Sequence, residues 1–180
     1  MVRTRVGYAG GTTKNPTYRN LGDHTETIQI EYDPTMVSYE ELLGVFWSNH
    51  SPTARPWSRQ YMSIIFYHND EQRRLAMETR DREAAKVGGE IYTEIVPASE
   101  FTLAEAYHQK YQLQRVPDLM AEFSAIYTDD DFVASTATAR VNGYVGGNGT
   151  CEGLREEVDS LGLSAAGSEK LLKMVCGSSR

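Results

Sequence analysis

The chain opens on an alternation of β-branched and polar residues. Val2-Arg3-Thr4-Arg5-Val6-Gly7-Tyr8 has the two-residue period of a half-buried strand. Gly10-Gly11 is predicted to end it, because glycine accepts backbone angles that other residues refuse. Asn15-Pro16 marks a further turn. From Thr25 to Tyr32 the alternation returns, with Glu26 on the same face as Ile28 and Ile30. Asp33-Pro34 turns the chain again. Ser38-Tyr39-Glu40-Glu41 reads as a capping box, and Leu42, Leu43, Val45, Phe46 and Trp47 give the helix behind it an apolar face to about Asn49. His50-Ser51-Pro52-Thr53 stops that helix, and Arg55-Pro56-Trp57-Ser58-Arg59 extends the loop. Gln60 to Tyr67 is predicted as a third strand. Asp70 to about Lys86 is a charged helix closed by Gly88-Gly89. Ile91 to Val96 is a fourth strand, and Ala104 to Gln114 a helix with Tyr107, His108 and Tyr111 on neighbouring faces.

Pro117 changes the character of the chain. Asp129-Asp130-Asp131 and the small residues from Ala134 to Ala139 predict weak or irregular structure, and Asn142 to Gly149 a mobile glycine loop. Two short helices are predicted near Glu152–Ser160 and Ser168–Val175. The expected organisation is one α+β domain over 1–116, followed by an extended C-terminal segment over 117–180 that wraps or dangles. The domain is expected to be a two-layer sandwich, with helices on a mixed or antiparallel sheet.

Composition narrows the function classes. Of 180 residues, 40% are hydrophobic and 24% charged, as in soluble globular proteins. The formal charge of −7 leaves no basic excess to displace counterions from nucleic acid, so no nucleic-acid partner is expected. No apolar run reaches the ~18 residues of a membrane helix, and no charged-then-apolar leader is visible. Two cysteines, Cys151 and Cys176, are too few for a disulfide scaffold. A cytoplasmic, reducing setting is the expectation, with no cofactor.

The chemistry-bearing side chains gather in the first third. Tyr18, His24 and Glu26 lie on the first loop and second strand, Tyr61 on the third strand, and His50 just before it. A carboxylate on a strand face shared with isoleucines needs a reason: a pocket mouth, or a strand end that is still wet. A buried carboxylic acid with a raised pKa can donate a proton to an oxygen that phenols also hydrogen-bond. The same tyrosines also fit an ordinary strand-end position. His24 and Glu26, joined by His50 or His108, would make a metal site, but no tight ligand spacing supports one, and no metal is expected. No Gly-x-Ser-x-Gly elbow occurs. Cys151 follows a glycine run and is read as a thiol able to travel, suited to disulfide exchange, or as an incidental surface cysteine. Cys176 is read as a helix-face or exposed thiol.

Taken in order, Val6-Gly7-Tyr8-Ala9-Gly10-Gly11, Asn15-Pro16-Thr17-Tyr18, His24-x-Glu26, Tyr32-Asp33-Pro34, Ser38 to Leu43, Phe46-Trp47, Pro52-Thr53, Gln60-Tyr61-x-Ser63 and Ala104-Glu105-x-Tyr107-His108-Gln109 resemble the peptide methionine sulfoxide reductase A family, from about Val2 to Gln114. The resemblance implies reduction of methionine S-sulfoxide, free or in proteins. It implies that Glu26 protonates the departing oxygen, that Tyr18 and Tyr61 hydrogen-bond it, and that His24, His50, Tyr107 and His108 support the pocket. A cysteine attacks the sulfur and becomes a sulfenic acid; a recycling cysteine, carried over to Cys151, then forms a disulfide that thioredoxin or another thiol reductant opens. The family's Gly-Cys-Phe-Trp-Gly segment does not occur here. The resemblance therefore implies that the nucleophile is absent from this chain, with the first strand and helix of the family fold. A mis-started or truncated sequence is the expectation, and a catalytically dead sulfoxide- or protein-binding module the alternative. Ser51 and Ala106 stand where the family has aspartates, and Val145 where many members have a recycling cysteine.

Overall fold

A computed structural model describes residues 2–177. The chain divides into two compact units. One comprises Val6–Ile28 and Tyr32–Ala104; the other comprises Met1–Arg5, Gln29–Glu31 and Glu105–Arg180.

The elements of the α/β part run β1 (Arg3–Ala9), β2 (Thr25–Glu31), α1 (Tyr39–Ser48), a 3-10 turn Arg59–Tyr61, β3 (Ile64–Tyr67), α2 (Asp70–Val87), β4 (Glu94–Pro97) and β5 (Thr102–Leu103). One sheet has the order β2-β1-β5, and β5 runs antiparallel to β1 with Gly7 opposite Leu103. The other sheet pairs β3 with β4 in parallel, Ile65 opposite Ile95. A parallel pair needs a crossover, and α2 supplies it. Leu43, Trp47, Ile65 and Ala76 are buried together, with Leu75, Ile91 and Ile95 packed on them. The α+β class read from the sequence is the class observed.

Helix ends follow the sequence closely. The Ser38 Oγ accepts from the Glu41 N–H at 3.2 Å while the Ser38 N–H donates to Glu41 Oε2 at 2.7 Å, a complete capping box. Asn69 caps α2 through the Gln72 N–H, and Gly88 closes it at φ +67°. Strand boundaries follow less well. Gln60 and Tyr61 are not on a strand but in the 3-10 turn, closed by a bond from the Met62 N–H to the Arg59 carbonyl at 3.2 Å. Tyr92 lies ahead of β4, its N–H donating to the Pro52 carbonyl at 2.9 Å. The face of β2 that carries Glu26 and Ile28 is open, with Ile28 57% exposed, so it is not a core face there.

The other unit is helical: a 3-10 turn Ala106–His108, α3 (Tyr111–Gln114), α4 (Pro117–Ser124), α5 (Asp129–Ala134), α6 (Thr136–Val145), α7 (Cys151–Glu157), a 3-10 turn Val158–Ser160 and α8 (Ala165–Cys176). Its core holds Leu113, Leu119, Phe123, Phe132, Val141, Leu154, Leu161 and Leu171. This corrects the expectation of an extended tail. Thr128, Ser135, Thr150 and Ser164 each cap the following helix through a backbone N–H. The three aspartates after Thr128 sit in the first turn of α5, where the helix dipole favours negative charge. The run from Ala134 to Ala139 is helical for most of its length, and α6 extends to Val145 through the predicted glycine loop. The stretch from Ala104 to Gln114 is broken instead at Lys110, which has φ +49°.

Two further features tie this unit together. Cys151 and Cys176, the first residue of α7 and the last of α8, form a disulfide across 25 positions of sequence. Neither is the free thiol that the sequence reading expected. Lys110 is only 4% exposed and its ammonium donates to the Thr4 carbonyl and, at 3.1 Å, to the Thr4 hydroxyl. Burial, and then the nearby Arg5 charge, bring its pKa down to about 8. Among the described residues, no helix is long and apolar enough to cross a membrane.

Phe123 is fully buried at the centre of the helical core. Phe123→Ala is expected to destabilise that unit by about 3–5 kcal/mol, measured by urea unfolding. A loss under 1 kcal/mol would contradict this packing.

Candidate active site

Glycines and an aspartate give the first loop its shape. Gly10 has φ +81° and Gly22 φ +62°. A Cβ on Gly11 would lie 2.6 Å from Asp23 Oδ1 and 2.7 Å from the His24 ring, so only glycine fits there. The Asp23 carboxylate accepts from the Thr12 and Thr13 N–H groups and from both threonine hydroxyls, at 2.8–3.0 Å. The Thr13 backbone donor, the Thr13 and Thr12 hydroxyls and then the Thr12 N–H hold this carboxyl well below the usual carboxylate range.

His24 is 4% exposed and engages the loop from within. Its Nδ1 accepts from the Gly11 N–H at 3.2 Å, and Nε2 contacts the Thr13 carbonyl at 2.8 Å. A donor on one nitrogen and an acceptor on the other assign the neutral tautomer with the proton on Nε2. His24 therefore pins the loop and has no lone pair left for a metal.

The loop ends in a tight turn in which Thr17 and Asn20 exchange backbone bonds at 3.0 and 3.2 Å, placing Tyr18 at its tip. Beyond Asp23-His24, the Thr25 hydroxyl, 2% exposed as a residue, donates to the Arg59 carbonyl at 2.8 Å. That bond joins β2 to the 3-10 turn one residue before Gln60. The Gln60 amide then donates to Glu26 Oε1 at 2.7 Å and lies 3.2 Å from the Tyr61 hydroxyl. Tyr61 is in turn hydrogen-bonded with Tyr18. That bond comes first among the influences that push the Tyr61 phenol up, ahead of burial and the Tyr18 and Glu26 charges. The phenol stays a protonated donor across the neutral pH range.

Tyr18, Glu26 and Tyr61 thus meet, with Gln60 between the carboxylate and one phenol. The group is open to solvent: Tyr18 is 41% and Tyr61 43% exposed, and Glu26 is exposed as well. Of the two settings the sequence leaves open for Glu26, the exposed Glu26 fits the wet strand end and not a buried acid. The two phenols can donate hydrogen bonds to a small polar atom beside them, and the Glu26 carboxyl, when protonated, can supply a proton.

The remaining expected residues have partners of their own. His50 Nδ1 is 2.8 Å from the Phe46 carbonyl at the end of α1, and Nε2 is 3.1 Å from the Thr93 hydroxyl, so His50 ties α1 to the segment before β4. Its ring stacks on Trp47, centroids 5.5 Å apart. Tyr107, His108 and Cys151 belong to the helical unit, where the Tyr107 and His108 rings are 4.1 Å apart. Among the described residues, no group of three or more His, Cys, Asp or Glu side chains could hold a metal.

A family model described as peptide methionine sulfoxide reductase matches residues 1–141. The chain belongs to the peptide methionine sulfoxide reductase family. A second model, the helical domain of selenoprotein methionine sulfoxide reductase A, matches residues 127–175, which span α5 to nearly the end of α8. Peptide methionine sulfoxide reductase of Drosophila melanogaster is 42% identical over 169 residues, covering 91% of this chain and 67% of that one. Peptide methionine sulfoxide reductase A5 of Oryza sativa subsp. japonica is 39% identical over 150 residues, covering 80% and 59%. The chain thus spans between 59% and 67% of the length of these curated relatives. The crystal structure of Mxr1 from Saccharomyces cerevisiae in reduced form superposes with a TM-score of 0.59 at 29% identity, covering 63% of this chain and 71% of that one.

Sequence reasoning did not single out Gln60 as a site residue. Its place directly before Tyr61, ahead of an apolar run, was the available signal. Asp23 is likewise not among the predicted site residues, although two adjacent threonines eleven and ten positions earlier were the partners to look for.

Two outcomes test the loop. Gly11→Ala should destabilise by about 1–3 kcal/mol, because Asp23 and His24 must both move; a thermal melt unchanged from the parent would refute the close approach. The stability contributed by ionised Asp23 is fully present above its unfolded value of 3.8 and is lost only as pH falls below that, through the lower native value. Carboxyl chemical shifts followed by NMR should show Asp23 still ionised at pH 3.8; a midpoint at or above 3.8 would contradict the four-donor cradle.

Proposed function

We propose that this chain acts on methionine S-sulfoxide, free or in proteins, as a peptide-methionine (S)-S-oxide reductase that uses thiols as reductant. Glu26 delivers a proton to the sulfoxide oxygen, and the Tyr18 and Tyr61 hydroxyls hydrogen-bond that oxygen as it gains electron density. Gln60 holds the Glu26 carboxyl in place. A thiol of the reductant, not one of the two disulfide-bonded cysteines, attacks the sulfur; methionine is released and that thiol becomes a sulfenic acid. A second thiol condenses with it, giving a disulfide and water. The observation that carries this reading is the meeting of Glu26, Gln60, Tyr61 and Tyr18 in a member of the reductase family. Thioredoxin or another dithiol is the reductant, and Cys151, once its bond to Cys176 is opened, is the recycling thiol.

A second reading has its own support. Among the described residues no cysteine is free, because both are in one disulfide. A chain that offers hydrogen bonds to a sulfoxide without a thiol would bind it and not turn it over, which is a sulfoxide- or protein-binding module.

An assay of the full chain with a methionine sulfoxide peptide and dithiothreitol separates the two. The enzyme reading expects consumption of the S diastereomer alone, and a rate about 10²-fold lower in Glu26→Gln. Equal loss of both diastereomers, or an unchanged rate in Glu26→Gln, would end it. Calorimetric binding of the S-sulfoxide peptide with no turnover would instead establish the binding module.

A further inference from the structure

We propose that Trp57 and the ring of Tyr61 form a shelf that receives an aromatic side chain one or two positions from a methionine sulfoxide, so that the site prefers peptides of that sequence. The proposal rests on the reading of Tyr18, Glu26 and Tyr61 as the sulfoxide site. Trp57 is 81% exposed, and its ring centroid lies 4.9 Å from that of Tyr61 at an interplanar angle of 34°. Tyr61 thereby serves two surfaces. Its hydroxyl belongs to the polar cluster with Gln60 and Tyr18, while its ring continues into the indole. Consecutive Cα atoms are about 3.8 Å apart. A residue next to the sulfoxide, or one further on, is therefore within reach of a ring whose centroid lies 4.9 Å from that of Tyr61.

The chemistry of the shelf selects the occupant. Indole and phenol faces favour another aromatic ring, in offset or tilted contact. They would also attract a cation, but Trp57 stands between Arg55 and Arg59 in the chain. Arg55 lies over the Tyr92 ring, 5.9 Å from its centroid, and Arg59 pairs with Glu94 at 2.8 Å. The Arg59 charge is thus offset by Glu94, and the Arg55 guanidinium, two residues from Trp57 in the chain, disfavours an incoming Lys or Arg. An aromatic neighbour is therefore favoured and a basic one is not.

Calorimetric titration of the full chain tests this with three capped peptides holding methionine S-sulfoxide beside Gly, Phe or Arg, and unoxidised Met peptides as controls. The Phe peptide should bind about five-fold tighter than the Gly peptide, and the Arg peptide no tighter than Gly. Trp57→Ala should bind the Phe and Gly peptides alike, and Trp57→Phe should retain part of the preference. A preference that persists in Trp57→Ala, or sulfoxide-dependent binding with no preference in the parent chain, overturns the shelf and leaves the sulfoxide site standing. Absence of sulfoxide-dependent binding to all three peptides overturns both. A dimer seen in sedimentation that Trp57→Ala dissolves gives the shelf to a second copy and overturns the proposal.

Discussion

The bond from the Thr25 hydroxyl to the Arg59 carbonyl governs the candidate site. Glu26 is on a strand and Tyr61 in a 3-10 turn, and nothing in the local structure of either would bring them together. Thr25 is 2% exposed, so its hydroxyl would be costly to leave without a partner. The Arg59 carbonyl is the partner in reach, and satisfying it fixes the turn beside the strand. With that register set, Gln60 faces Glu26, and Tyr61 follows. The site is thus a consequence of one buried hydroxyl finding its acceptor.

A second constraint positions the other phenol. The span from Gly10 to Tyr18 contains little apolar surface that could pack it, so polar bonds give it shape. Asp23 gathers two successive backbone donors and two hydroxyls, as a helix N-terminus or a turn gathers an anion. His24 works from the adjacent position in the opposite sense, accepting from Gly11 and meeting the Thr13 carbonyl. Both act on the same few residues, so the loop is held on two sides. This explains why His24, which chemistry alone would nominate as a ligand or base, is occupied by architecture.

What could be read in advance divides along physical lines. The capping box at Ser38, the Gly88 stop and the amphipathic run from Leu42 to Trp47 are local effects, and local effects are written in consecutive residues. The α+β class follows from the same alternation of periods. Gln60-Tyr61 read as strand because a polar-apolar pair leading into Ile64-Ile65-Phe66 has a strand's pattern; the bond to Thr25 that turns it aside is long-range and has no trace in that window. The stretch from Asp129 to Val145 misled for a different reason. Asp, Ser and Thr have modest helix propensity, and the reading weighed them above the alanines between them. Thr128 and Ser135 as caps, the dipole's preference for the aspartates, and the burial of Phe132, Val133 and Val141 together outweigh it. Of the candidate site, family motifs pick out Tyr18, Glu26 and Tyr61, while the choice between a pocket mouth and a wet strand end stays open in the sequence, because burial depends on what packs over a face.

The cysteines show how a motif and its setting can point to different states of one group. Sequence placed Cys151 after a glycine run and predicted reach. The fold makes it the first residue of a capped helix, bonded to the last residue of α8. The closed bond joins α7 to α8 around a core that includes Leu154 and Leu171. Much of the helical core, from Leu113 to Val141, is contributed by α3 to α6, which the bond does not span. Oxidation therefore adds a constraint on two helices and does not build the unit around them. Opening the bond would therefore remove one restraint between α7 and α8 while the packing contributed by α3 to α6 remains.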